Sequence, residues 1–133
     1  MGAFRRRWPG LSYGRGEDWH YVGDTGEPAF ESGWSNAVSG STALAFRLRA
    51  GGQVDMAGVV TTAGPAAEVF YLPEGYRPTA SAYVSYIRRR SATVTAQLLS
   101  IESSGAVAPN DIASGDVVFI YGSFFVIPPD GAS

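Results

Sequence analysis

Glycine and proline interrupt this chain so often that no window of eleven or more residues keeps the apolar spacing of an amphipathic helix. The sequence has 17 glycines and 8 prolines among 133 residues, roughly a fifth of the chain where about 12% is usual. Between these breaks lie short runs with the two-residue period of half-buried strands. Leu44, Phe46 and Leu48 face one way, and Arg47 and Arg49 the other. Gly51-Gly52 is a hairpin turn signal, after which Val54, Met56 and Val60 oppose Asp55 and Thr61. Gly64-Pro65 closes this hairpin, and Glu68–Leu72 reads as a short third strand. Two prolines and Gly75 make Leu72–Pro78 a loop by its own chemistry. Strands follow at Ala82–Ile87, Ser91–Ile101 and Ala106–Ala108, and Val117–Ile127 reads as a strand pair or one long bent strand. The expectation is an all-β protein of six to eight short strands, a β-sandwich or jelly roll.

Two strands carry more apolar surface than one buried face needs. In Ser91–Ile101, Val94, Ala96 and Leu98 share a face while Leu99 and Ile101 take the other, so either a bulge intervenes or both faces are covered. Val117, Val118, Phe119, Ile120 and Tyr121 are apolar on both sides, whereas an antiparallel sandwich strand should alternate to polar. The cover is either the amino-terminal segment or neighbouring copies of the chain. Because large exposed apolar patches are rare on monomers, an oligomer is expected, with Val118, Ile120 and Phe125 at its interface.

The charge pattern divides the chain into an arm and a knob. Residues 1–16 hold Arg5, Arg6, Arg7 and Arg15 and no acid, and have no periodicity, so they read as an extended arm. Residues 17–133 form the single folded domain, of a size that suits one core. Its first part, residues 17–41, mixes Glu17, Asp18, Asp24, Glu27 and Glu31 with Trp19, Tyr21, Phe30 and Trp34, an ordered loop pinned by large rings. The arm is either a solvated basic segment or an anchor, with Phe4, Arg5, Arg6, Arg7 and Trp8 docking on an acidic partner. A net charge of −2 provides no basic field for nucleic acid or an anionic membrane, and no apolar run is long enough to cross a bilayer.

Catalytic chemistry finds little to work with. There is no cysteine and a single histidine, His20, so thiolate and multi-histidine metal sites within one chain are excluded and no cofactor is expected. Gly33-Trp34-Ser35-Asn36-Ala37 misses the nucleophile elbow by its last residue and leads into no helix. The acids of residues 17–31 could in principle include a glycosidase pair or hold a lone ion, but such clusters are usually solvated. The exposed rings and Arg88-Arg89-Arg90 could grip sugars or protein. Tyr83, Tyr86, Arg88, Arg89 and Arg90 are the candidate contacts, with the arginine run read as an exposed loop.

Taken in order, several stretches resemble a domain found at the ends of bacteriophage tail fibres and minor tail proteins, notably of actinobacterial phages. They are Trp19-His20-Tyr21-Val22-Gly23, Gly26-Glu27-Pro28-Ala29-Phe30, Gly33-Trp34-Ser35-Asn36 and Ala45-Phe46-Arg47. Gly52–Val60, Phe70–Pro78 and Gly122-Ser123-Phe124 complete the series, and the resemblance spans residues 17 to 126. It implies a non-enzymatic β-sandwich knob, trimeric, on the virion surface and made in the host cytoplasm. It also implies structural roles for Trp34 as a core anchor, Asn36 as a partner of backbone groups, and Tyr76 and Arg77 as locks on their loop. The implied partners are sister copies, tail or major capsid protein, and host cell-wall glycan. Such a knob usually follows a long shaft, whereas here sixteen arginine-rich residues precede it, and attachment is expected to fall to them. Attachment through that arm leaves receptor binding, adaptor and capsid decoration roles open, with a free carbohydrate-binding module as a rival.

Overall fold

Two long hairpins and one carboxy-terminal strand between them frame the molecule. The computed structural model describes residues 17–37, 42–64 and 67–126. Strands β1 (His20–Tyr21), β2 (Trp34–Asn36), β3 (Ala45–Arg49), β4 (Gln53–Thr62), β5 (Phe70–Tyr71), β6 (Ala82–Arg90), β7 (Thr93–Ile101), β8 (Ala106–Pro109) and β9 (Val117–Phe125) join in one antiparallel sheet. Its order is β1-β3-β4-β9-β6-β7-β8-β5, and β2 pairs with the far end of β4. No helix occurs among the described residues.

The β3–β4 hairpin turns at Gly51 and Gly52, whose φ angles of 96° and 88° suit the tight turn that glycine permits. The β6–β7 hairpin turns at Ser91, itself at φ 55°. Strand β9 then pairs with β4 from Gln53↔Phe125 to Thr61↔Val117 and with β6 from Tyr86↔Ile120 to Arg89↔Val117. The sheet curls so that its margins meet. Phe46 of β3 stacks on Phe70 of β5 with ring centroids 5.7 Å apart, and the Glu31 N–H donates to the Val69 carbonyl at 2.8 Å. The two layers expected of a sandwich are thus two halves of one rolled sheet.

The concave face encloses Phe46, Val54, Met56, Val60, Phe70, Leu72, Tyr86, Leu99, Ile101, Val107, Val118 and Ile120, all at 2% exposure or less. Each large aliphatic or aromatic side chain buried there stabilises by about 1.5–3 kcal/mol. Alternation along β9 sends Val118, Ile120 and Phe124 into this core, leaves Val117 and Phe119 half-buried on the convex side and exposes Tyr121 there. This corrects the expected interface. Val118 and Ile120 are fully enclosed by their own chain and offer nothing to a neighbour, while Phe125 is 42% exposed.

Among the described residues the strands number nine, because β1 and β2 arise within the segment read as a loop, where two or three residues are too few to show a period. The strand expected at Glu68–Leu72 narrows to Phe70–Tyr71, and Val117–Ile127 contains one strand, not two. Strand β7 needs no bulge, because its register with β6 runs unbroken from Ala82↔Ile101 to Arg90↔Thr93. The arm candidates Phe4, Arg5, Arg6, Arg7 and Trp8 lie outside the described residues.

Gly58 permits a close crossing in the middle of β4. The segment leading into β3 passes over it, with the Val59 N–H donating to the Thr42 carbonyl at 2.9 Å. A Cβ at Gly58 would lie 2.3 Å from the Leu44 Cα, and backbone on both sides prevents relief. Gly58→Ala is therefore expected to destabilise by about 3 kcal/mol or more, the upper range of overpacking. Gly51→Ala has open space around it, so it should lose only about 1–2 kcal/mol, from its left-handed φ. Urea unfolding of both variants checks the ranking.

Candidate interaction surface

Three polar clusters fix the loops around the sheet, and their geometry decides which side chains remain free for a partner. The first clamps the start of the described chain. The Glu17 N–H donates to the Leu48 carbonyl at 3.2 Å. Its Oε2 accepts from the Leu48 N–H at 3.1 Å, the Tyr76 hydroxyl at 2.6 Å and His20 Nε2 at 2.9 Å. His20 Nδ1 meets Glu27 Oε2 at 2.9 Å, and its ring stacks on Phe46. With a carboxylate on each ring nitrogen, the imidazolium is the form that donates to both. Burial opposes that charge, but the hydrogen bond and charge of Glu27 and the charge of Glu17 outweigh it and raise the His20 pKa above 6.5. Burial together with Glu17 raises the Tyr76 hydroxyl far above its ordinary range.

This cluster also holds the proline-bounded loop, since Tyr76 reaches back to Glu17 while Arg77 Nε donates to the Leu72 carbonyl at 2.8 Å. Nearby, Trp34 is 4% exposed and Asn36 Oδ1 accepts the Leu44 N–H at 2.9 Å. The acids of residues 17–31 looked like a solvated run in sequence. Two of them converge instead on the single histidine, and only the fold could bring Tyr76, 59 residues from Glu17, to the same point. Among the described residues no group of three or more His, Asp or Glu could hold a metal.

The second cluster absorbs most of the arginine run. Arg88, Arg89 and Arg90 are not a loop but the end of β6, so they alternate between faces. Arg88 is 7% exposed and donates through Nη1 to the Asp111 carbonyl at 2.7 Å and its carboxylate at 2.8 Å. Arg90 grips the wholly buried Asp116 through Nε and Nη2, both at 2.8 Å. The Ala113 N–H completes that carboxylate's shell at 2.8 Å. The Arg90 hydrogen bond is the main reason why the Asp116 pKa falls below 3.8. Tyr86 is buried at 2% exposure, donates its hydroxyl to the Asn110 carbonyl, and has its pKa pushed up to about 12, chiefly by burial. Tyr86 and Arg88 are therefore not surface contacts, and Arg90 is tied to Asp116. Tyr83, 65% exposed, and the exposed Arg89 remain.

A third cluster closes one end of the convex face. Asp55 accepts from Ser123 at 2.8 Å, Gln53 at 3.2 Å, Arg47 at 3.3 Å and Arg49 at 3.4 Å, and the Arg47 guanidinium lies 4.4 Å from the centre of the Trp19 ring. Beyond this self-satisfied patch the convex face turns apolar, with Ile87, Val94, Leu98 and Tyr121 all exposed. Tyr83 and Arg89 stand on that same face. The arrangement offers broad contact area with two polar handles, suited to gripping a surface.

The rolled sheet is similar to a known one. Over 91% of this chain and 73% of the other, it superposes on the crystal structure of the receptor binding protein (gp15) of Listeria phage PSA, with a TM-score of 0.61 and 13% sequence identity. No protein-family model matches the chain, and no curated protein matches it by sequence. The likeness therefore establishes a shared all-β fold.

A histidine pKa raised on folding adds stability that is complete below pH 6.5 and is lost as pH rises through the folded-state value. The melting temperature should fall across that window, and His20→Gln, neutral throughout, should remove this part of the slope. Asp116→Asn leaves the Arg90 fork partly unmatched at a buried position and should cost about 1–3 kcal/mol, measured by chemical denaturation at pH 7.

Proposed function

We propose that this chain is a non-enzymatic phage virion protein, a receptor-binding knob that assembles as a trimer on the particle surface. The observation that carries the reading is the fold likeness over 91% of the chain to a protein named for receptor binding on a phage. The ordered series of fibre-like motifs from Trp19 to Phe124 supports it from an independent direction. The apolar convex face supports assembly, because a patch of this kind is costly to leave in water. In this reading the arm of residues 1–16 anchors the knob to other virion proteins. Tyr83 and Arg89 face host cell-wall glycan, Tyr83 supplying a ring to stack on a sugar and Arg89 a planar donor set.

Attachment is multivalent in this reading. Three knobs on one trimer convert the second and third contacts into intramolecular events, so individually weak contacts give durable adhesion. Purified full-length protein should sediment bacterial cell walls, and the Tyr83→Ala/Arg89→Ala double variant should weaken that binding at least tenfold. Exposed substitutions of this kind change stability by about 0.5 kcal/mol or less, so unchanged thermal unfolding separates lost contact from lost fold. A wild-type protein that ignores cell walls yet decorates purified capsids would overturn receptor binding in favour of a head-decoration role.

A further inference from the structure

Two independent features of β7 point to the same occupant. The first is a row of apolar side chains across the convex face. Ala96, Ile87 and Phe119 succeed one another over three strands through the pairs Ile87↔Ala96 and Ile87↔Phe119, ending at Val59, which its own chain already buries at 6% exposure. Val94 and Leu98 flank Ala96 on β7 at 62% and 53% exposure, and Tyr121 adjoins Phe119 along β9 at 53%. Arg89, paired opposite Val94, is the charge at its border.

The second feature is an open edge. Strand β8 covers Leu99–Ile101 of β7, and the Asn110 N–H reaches the Leu98 carbonyl at 3.2 Å. Among the described residues, Thr93–Gln97 have β6 on one side and no strand on the other. Proteins guard such edges with charges, prolines, bulges or brevity. Thr93-Val94-Thr95-Ala96-Gln97 has no charge and no proline, is rich in β-branched residues, and keeps an unbroken register with β6. The other margins are guarded: β1 and β5 are two residues long, and the rim of β3 carries Arg47 and Arg49 with Glu17 bonded to Leu48.

We propose that a second copy of this chain seats on β7, covering the open edge of Thr93–Gln97 and the strip of Val94, Leu98 and Ile87 beside it. This inference rests on the reading that copies of the chain assemble, and it names the surface they use. A glycan fits poorly here, because Ala96, Ile87 and Phe119 bring no hydrogen-bonding side-chain groups to the row. The centre lacks charge and includes aromatic rings, as the core of a protein interface does. Strip and edge together span on the order of 500 Å² from strand spacing and rise. In a threefold ring each subunit gives one such surface and receives one. Each contact of the ring then buries about 500 Å² on each partner, roughly 1,000 Å² in total, the size at which a specific interface becomes tenable.

The test is sedimentation of the full-length chain at micromolar concentration, beside the Val94→Lys/Leu98→Lys double variant and amide hydrogen exchange of the wild type. The expected result is an oligomeric wild type, a monomeric variant that keeps the wild-type circular dichroism and unfolding transition, and at least a tenfold rise in the dissociation constant. Thr93–Gln97 amides should exchange slowly in the oligomer and at least tenfold faster on dilution to monomer, a readout that requires no variant. A variant of unchanged mass, or fast exchange at Thr93–Gln97 within an intact oligomer, overturns the assigned surface and leaves assembly standing. A wild-type mass of one chain at every concentration overturns assembly itself.

Discussion

The structure depends on β9 lying between two hairpins that are far apart in sequence. Among the described strands it alone ladders to both β4 and β6, so the concave core exists only once residues 117–125 have returned to the middle of the sheet. Its alternation sets the character of both faces at once. Val118, Ile120 and Phe124 complete the core, and the same pleat places Phe119 and Tyr121 on the convex side. A strand that must be apolar inside is here apolar outside too, so one run of residues both fills the core and lines the convex face. The price of that economy is a face that water covers badly.

Polar chemistry in this fold goes mainly into holding loops. Glu17, His20, Glu27 and Tyr76 tie the entry to β1 to the proline-bounded loop, Arg88 and Arg90 with Asp111 and Asp116 secure the segment between β8 and β9, and Asp55 gathers the β3–β4 rim. Each cluster bridges elements distant in sequence, and each pairs acids with cations at partly or wholly buried positions. Removing one partner of such a pair costs more than forming the pair gains. These clusters therefore act mainly to specify one arrangement of the loops.

Much of the fold could be read from the chain because the strand period survives in it. Leu44, Phe46 and Leu48, the Gly51-Gly52 turn, and Val54, Met56 and Val60 stand where their alternation places them. The two-sided apolarity of β7 and β9 was likewise visible. Which side of β9 was free was not, since Val118 and Phe119 are equally apolar and only the packing of β4 and β6 decides which turns inward. The site was less legible. Arg88-Arg89-Arg90 looked like a solvated loop because its counter-ions, Asp111 and Asp116, lie 21 to 26 residues away in sequence. A run of like charges shows no period-two pattern of polarity, so nothing local distinguishes a loop from a strand whose alternate members are neutralised on one face.

That alternation has a consequence for how the surface can bind. Three adjacent arginines on a loop would make a cationic patch whose binding to any anion fades with salt. Here the pleat and two aspartates leave Arg89 as the one exposed member of the run. Its neighbours on the convex face are Ile87 and Val94, not further cations. A partner met by this face therefore meets mostly apolar area with one cation at its margin. Contact of that composition draws its strength from area removed from water, and added salt strengthens such burial where it would screen a charge pair.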